Sequence, residues 1–270
     1  MFGFFSSRKS LIDSGLLKGA VDNHSHILWG LDDGVSSQEE TLSILSWLES
    51  LQVRTLWLTP HTMEDVPNTT EGLKKRFQEL LDIYKGPIEL HLASEYMMDR
   101  LFEEHLENGD FLTHGDNKVL VETSIWGAPI DFWDLLDKMI SKGFSPMIAH
   151  PERYRYMHMP DYERLRQMGC TLQLNLPSII GVYGETVKLK AEALLSKGWY
   201  DMAGSDCHRF RSIQGQYQGK VLSKEVLSAL SERHIGIKLI DHGTDKMHMT
   251  VAVDEEDYEN AVRAIYDRFA

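Results

Sequence analysis

The chain has 270 residues, 42% hydrophobic and 26% charged, the balance of a globular protein with room for one α/β barrel and a small appendage. Its net charge of −13 argues against nucleic acid or a polyanionic membrane surface as the main partner, because both demand clustered Lys and Arg. Two cysteines, Cys170 and Cys207, are too few for a disulfide scaffold, Met1–Ser10 is too short an apolar stretch for a signal peptide, and no apolar run is long enough to span a bilayer, so a cytoplasmic chain without membrane insertion is expected.

Short apolar runs at Ala20–Asn23, Val53–Thr59, Ile88–Ala93, Val119–Val121, Pro146–Ala149, Thr171–Leu174 and Tyr200–Ala203 predict buried parallel strands. Between them, amphipathic patterns predict helices over Gln38–Leu51, Thr70–Tyr84, Asp99–Leu106, Pro129–Lys142, Asp161–Met168 and Glu185–Lys197. Ser36 or Ser37 ahead of Glu39 and Glu40 reads as an N-cap with an acidic first turn, and Pro129 fits the first turn of its helix. Repeated strand–helix alternation predicts either an open doubly wound sheet or a closed barrel, and periodicity alone does not separate them.

The residues that follow the strands carry the chemistry. Asp22-Asn23-His24-Ser25-His26 and Asp32-Asp33-Gly34 follow the first, His61 the second, Glu95 the third and Glu122 the fourth. His150-Pro151-Glu152-Arg153 follows the fifth, Asn175 the sixth, and Asp206-Cys207-His208 the seventh. In a parallel α/β protein all these ends lie on one face, and a closed barrel aims them at a common centre, so their number favours the barrel. His24 and His26 are two apart, as are Asp206 and His208, which puts each pair on one side of a strand and turns Cys207 away as an inert buried thiol. Imidazole and carboxylate donors without thiolates suit zinc, iron or manganese rather than a structural zinc knot.

Taken singly, each residue has a bland explanation. A lone His after a strand is usually a surface or hydrogen-bonded residue, Glu95 could be a helix cap, and Asp32-Asp33-Gly34 reads as a turn. Their joint placement is what predicts a shared metal site. His91, His105, His114, His158, His234, His242 and His248 read as ordinary. Arg153, three residues past His150, can pair with a phosphate through two hydrogen bonds, the competing reading being a surface salt bridge with Glu152.

With DNHSHILWGLDDG from Asp22, TPH from Thr59, SEY from Ser94, VLVET from Val119, IAHPERY from Ile148, LQLNLPSIIG from Leu172 and AGSDCH from Ala203, the chain resembles the polymerase and histidinol phosphatase (PHP) superfamily. It most resembles the bacterial tyrosine-phosphatase branch associated with capsule and exopolysaccharide synthesis. The resemblance implies a distorted, TIM-like (βα)7 barrel holding three divalent ions, manganese, iron or zinc. It assigns His24, His26, Glu95 and Asp206 to one ion, Glu95, Glu122 and His150 to a second, and Asp33, His61 and His208 to a third. It also implies an arginine shortly after the last histidine, with Arg209 and Arg211 at hand and Arg211 taken as the second phosphate clamp. The activity implied is hydrolysis of phosphotyrosine in a protein, such as the tail of a bacterial tyrosine kinase, by attack of a metal-bridging hydroxide on phosphorus. Two other readings stay open: a small-molecule phosphatase, for example of histidinol phosphate, and a non-catalytic metal-binding regulatory module.

From about Gly219 the pattern changes. A helix over Val221–Arg233, strands Ile235–Asp241 and Met247–Val253 around a Gly243 turn, and a helix from Glu255 to Phe269 resemble the end of an ACT domain of the aspartate-kinase type. A leading strand is sought at Phe210–Gly215, and the unit is expected to be partial, with its edges paired to a second copy of the chain. The expected division is a metallophosphatase barrel over 1–218 and an ACT-like α+β segment over 219–270.

Overall fold

A computed structural model describes residues 10–15, 17–217, 239–242, 249–252 and 260–261. Among the described residues nine parallel strands build the main body: β1 (Val21–Asp22), β2 (Thr55–Leu58), β3 (His61–Thr62), β4 (Glu89–Leu92), β5 (Glu95–Met97), β6 (Lys118–Glu122), β7 (Ser145–Ala149), β8 (Thr171–Asn175) and β9 (Met202–Gly204). They pair in the orders β1-β2-β4 and β3-β5-β6-β7-β8-β9.

The seven expected strands are all present, but the second and third are each broken in two. β3 resumes β2 after Thr59-Pro60, and β5 resumes β4 after Ala93-Ser94. Pro60 has no N–H to donate to a ladder, so pairing lapses there. Its carbonyl still accepts from Glu95 N at 3.1 Å and Ser94 Oγ at 2.6 Å, which carries the two strands across the break together. Beyond β1 and β9 the chain continues pairing: Asn23 N donates to Ala203 O (3.2 Å), Asp206 N to His24 O (2.8 Å) and His26 N to Cys207 O (2.9 Å). These bonds join the last strand to the first, and the result is the distorted barrel expected from the sequence.

Helices cover the outside. Gln38–Ser50 is capped by Ser37, whose hydroxyl accepts from Glu40 N, and Thr70–Ile83 by Thr69. Arg100–Asn108 starts on Asp99 and ends at Gly109, whose φ of 66° is the left-handed stop that glycine adopts without strain. Phe132–Ser141 starts later than Pro129. The Pro129 carbonyl is instead spent on a turn that receives Phe132 N at 3.1 Å. Phe210–Tyr217 is a helix, not the leading strand sought there, with Ile213 and Tyr217 buried against the barrel. One apolar layer under the helices gathers Tyr96, Phe102, Leu136, Met139, Tyr154 and Tyr162. Another gathers Ile27, Leu45, Leu48, Leu56, Leu58 and Leu80, with Cys207 buried among them. Leu120, Met147 and Ala149 form a third, smaller group of buried side chains on β6 and β7.

In the C-terminal segment, β10 (Leu239–His242) and β11 (Met249–Ala252) pair antiparallel with Leu239 opposite Ala252. That is the strand pairing expected there. The helix over Val221–Arg233 lies outside the described residues, as does the Gly243 turn; of the last helix only Asn260–Ala261 is described.

The closure leaves no room between the first and last strands. A Cβ on Gly204 would lie 2.3 Å from His24 Cβ and 2.9 Å from His24 N. Gly204→Ala is therefore expected to cost about 1–3 kcal/mol of stability, the usual penalty of overpacking a rigid interior. Denaturant unfolding of wild type and variant checks this.

Candidate metal centre

Eight of the nine candidate ligands sit at the strand ends on one face of the barrel, and Asp33 lies in the long loop after β1. His24 and His26 follow β1, His61 opens β3, Glu95 opens β5 and Glu122 closes β6. His150 follows β7, and Asp206 and His208 follow β9. His150 and Asp206 adopt φ values of 33° and 52°, a region that residues other than glycine rarely enter. Backbone strain of this kind concentrates where side chains must be aimed at a site.

The side chains meet. His24 Nε2 lies 3.1 Å from Glu95 Oε2 and 3.5 Å from Asp206 Oδ1, and His26 Nε2 lies 3.2 and 3.4 Å from the same two atoms. His150 Nε2 is 3.1 Å from Glu95 Oε1 and 3.7 Å from Glu122 Oε2. His61 Nδ1 is 3.2 Å from Glu95 and 3.1 Å from Glu122, while its Nε2 is 3.7 Å from Asp33. His208 Nε2 is 3.4 Å from Asp33. Three sets of donor atoms are close enough to surround an ion: His26, Asp33, His61 and His208; His24, His26 and Asp206; and His61, Glu95 and Glu122. The grouping differs from the expected one: His26 also falls in the Asp33 set, His61 stands with Glu95 and Glu122 where His150 was expected, and Glu95 is not in the His24 set.

The proton inventory tests whether cations fit here. His24 Nδ1 lies 2.6 Å from Gln173 Oε1, whose amide is oriented by its own donation to Asn23 O at 3.1 Å. His26 Nδ1 lies 2.8 Å from Asp32 Oδ2. With both Nδ1 atoms donating, neutral rings would present bare Nε2 lone pairs to each other at 2.9 Å, flanked by two carboxylates. His61 Nδ1 and His150 Nδ1 are buried without a hydrogen bond among the described residues. Converging lone pairs and carboxylates repel one another unless a cation or protons sit between them. Divalent ions fit this donor set.

Without ions, protons take part of that role. Burial works against charge on His24 and His26, yet Glu95 and Asp206, with Asp32 for His26, hold both pKa values above the ordinary imidazole value. Burial likewise works against ionised Glu95 and Asp206, but the surrounding histidines hold both well below the usual carboxylate range. His208 goes the other way, lowered by burial and by the charge of His26. Metal binding would displace these protons.

Arg153 donates to Asp206 Oδ2 at 2.8 Å and stacks over Tyr183 at 4.6 Å. It does not pair with Glu152. That carboxylate is fully buried, accepting from Asn175 N (3.0 Å) and Tyr200 OH (2.8 Å), and burial raises its pKa. Arg211 is exposed on the helix Phe210–Tyr217 and meets none of the cluster's side chains among the described residues. The neighbouring Arg209 is bonded to Gly34 O and to His208 O, so it braces the Asp33 loop. His91 stacks on Trp57, His105 bonds to Asp110 O, and His158 caps a helix, so all three stay outside the cluster. His114 is buried against Trp57 with ring centroids 3.6 Å apart, and burial pushes its pKa down to about 3. His234 and His248 lie outside the described residues.

Three supporting residues had been given no role in the site from the sequence alone. Asp32 was read only as part of a turn, but its carboxylate takes His26 Nδ1, His61 N (2.9 Å) and Gly34 N (2.9 Å). The aspartate doublet before a glycine was the available signal. Gln173 and Asn175 alternate along β8, and Asn175 Nδ2 donates to Asp206 Oδ2 at 2.8 Å. Neither amide has a charge that would mark it in a sequence.

Fold and site together define a TIM-like α/β barrel with a candidate polynuclear metal centre at its mouth. The chain belongs to the family described as "Capsular polysaccharide synthesis, CpsB/CapC", which matches residues 20–219, and an ACT domain matches residues 221–269. Tyrosine-protein phosphatase CpsB of Streptococcus pneumoniae is 28% identical, over 71% of this chain and 84% of its own length. Tyrosine-protein phosphatase YwqE of Bacillus subtilis is 26% identical, over 78% and 86%. A chain from the crystal structures of YwqE and CpsB, described there as unique metal-dependent tyrosine phosphatases, shares the fold with a TM-score of 0.64 at 22% identity, covering 79% of this chain and 87% of that one.

Asp32 is buried beside His26, and although burial opposes its charge, His26 holds its pKa down to about 2. A carboxylate with a lowered folded pKa stabilises the metal-free protein above its ordinary value of 3.8 and loses that contribution as the pH falls through about 2. Asp32→Asn is expected to flatten this part of the acid-unfolding profile. It should also weaken Mn2+ binding by roughly 10- to 100-fold, the usual cost of losing an outer partner of a ligating histidine. Chelator competition and acid titration followed by circular dichroism measure the two effects.

Proposed function

We propose that this chain is a metal-dependent phosphoric monoester hydrolase acting on phosphotyrosine in proteins. The observation that carries the proposal is the 2.9 Å approach of His24 Nε2 and His26 Nε2 between Glu95 and Asp206, within a cluster of imidazole and carboxylate side chains. The ligand set is His24, His26, Asp33, His61, Glu95, Glu122, His150, Asp206 and His208, holding three divalent ions of manganese, iron or zinc. Such ions would neutralise phosphate oxygens and make a water acidic enough to attack near neutral pH.

The chain's own groups do the rest. Asp32 and Gln173 fix the tautomers of His26 and His24 so that both Nε2 atoms face the centre. Arg153 is the phosphate clamp: its guanidinium can exchange Asp206 for a non-bridging phosphate oxygen, with Tyr183 keeping the plane oriented. Asn175 keeps its bond to Asp206 Oδ2 through that exchange. The leaving phenolate of tyrosine is stable enough to depart with little proton donation. Arg211, away from these contacts, is not assigned a role in the reaction.

The mouth favours a protein substrate over a small phosphate such as histidinol phosphate. Asp33 is 74% exposed at its side chain, and Trp126, Ile130, Val182 and Tyr183 stand exposed on the loops after β6 and β8. The names of the relatives support the same reading. A bacterial tyrosine kinase of capsule or exopolysaccharide synthesis is the partner this reading implies, in the cytoplasm, where Cys170 and Cys207 would stay reduced. Among the described residues no helix is long and apolar enough to cross a membrane. The barrel over 1–218 would carry the catalysis, and the ACT-like segment over 219–270 would offer a surface for a second copy.

The Mn2+-loaded full chain is expected to hydrolyse p-nitrophenyl phosphate and phosphotyrosine peptides, to stop when chelator strips the metal, and to recover on Mn2+ addition with the fold unchanged throughout. Arg153→Ala should lower kcat/KM by roughly a hundredfold, the scale of losing one charge-stabilising donor. A folded, metal-loaded chain that turned over neither substrate would remove the phosphatase reading.

A further inference from the structure

Beside the metal centre runs a groove of about 480 Å³, bounded by Arg153, Arg155, His158, Tyr183, Glu185 and Lys190. Tyr154 is wholly buried, so Arg153 and Arg155 on either side of it emerge together into the groove. Arg153 faces Asp206 and the metal ligands. Arg155 leads away from them and is exposed, its guanidinium stacked 4.0 Å over the ring of Trp126. Trp126 is itself 67% exposed, so this pair forms a free-standing platform at the rim.

The charges along the groove are not equivalent. Lys190 is spent on the carbonyls of Tyr154 and Met157. Glu152 lies beneath the floor, bonded to Asn175 N and Tyr200 OH. Glu185 is an exposed acid at the lip, and His158 is exposed beside it. Arg155 meets no carboxylate among the described residues, on a chain whose net charge is −13. A guanidinium laid flat on an indole keeps its edge free for a planar anion.

We propose that this groove takes the residues flanking the phosphotyrosine, and that Arg155 on Trp126 pairs with a carboxylate side chain there, giving the site a preference for acidic peptides. The proposal rests on the phosphotyrosine reading and narrows its substrate class. Exposed ion pairs are worth up to about 1 kcal/mol, and the upper part of that range, about 0.4–1 kcal/mol, corresponds to a roughly two- to fivefold preference.

The probes are two fluorescent phosphotyrosine peptides of equal length, one with Asp and Glu around the phosphotyrosine and one with Asn and Gln, presented to the full Mn2+-loaded chain. Anisotropy gives Kd and steady-state turnover gives kcat and KM. The acidic peptide should bind the wild type roughly two- to fivefold tighter, with the difference in KM rather than kcat and shrinking at high salt. Arg155→Ala should bring the two peptides level and Arg155→Glu should reverse their order, circular dichroism confirming that both variants fold. Equal binding of both peptides by the wild type, or a preference that survives Arg155→Glu, overturns the proposal even if both peptides are hydrolysed. A binding preference that follows Arg155 without any hydrolysis upholds the groove while the phosphatase reading falls.

Discussion

The structure turns on two imidazole nitrogens held face to face. His24 and His26 each direct Nδ1 at a fixed acceptor, Gln173 and Asp32, and so bring Nε2 to a centre already lined by Glu95 and Asp206. Burial removes the water that would otherwise screen these groups. Positive charge must therefore be supplied, either as protons on the imidazoles or as metal ions. An acidic chain is compatible with the proposed phosphate site for this reason, because three divalent ions would outweigh the carboxylates that hold them.

The barrel exists in a form that serves this convergence. Closing the last strand on the first places Asp206 and His208 against His24 and His26, and Asp22 locks the seam by accepting from Ser205 N at 2.8 Å and His24 N at 3.2 Å. The breaks at Pro60 and at Ala93-Ser94 let the second and third strands restart with His61 and Glu95 paired in register. Positive φ accompanies two more of the candidate ligands, His150 and Asp206. Each device disturbs ideal strand geometry, and each lies at the same end of the barrel.

Much of this was legible in the sequence because metal ligands are charged or imidazole side chains and the fold puts them at strand ends, where apolar runs stop. Eight of the nine expected residues fall in the three close donor sets, and His150 lies against Glu95 beside them. What escaped was set by partners rather than by residue type. β3 and β5 are too short to show a period of two, and nothing local distinguishes the Asp32 of a turn from an Asp32 that orients a histidine. Pro129 has the chemistry of a helix start but is drawn into a preceding turn, and Phe210–Tyr217 has the apolar content of a strand but packs as a helix through Ile213 and Tyr217. Arg211 was expected only from the resemblance, as a second clamp beside Arg153, and of the two Arg153 is the one that reaches Asp206.

The most direct test is a crystal of the Mn2+-loaded chain with anomalous data collected at the manganese edge. Anomalous peaks are expected among His24, His26 and Asp206, among His26, Asp33, His61 and His208, and beside Glu95 and Glu122. A loaded crystal with no peak between His24 and His26, where the two rings instead share protons with Glu95 and Asp206, would contradict the account at its root.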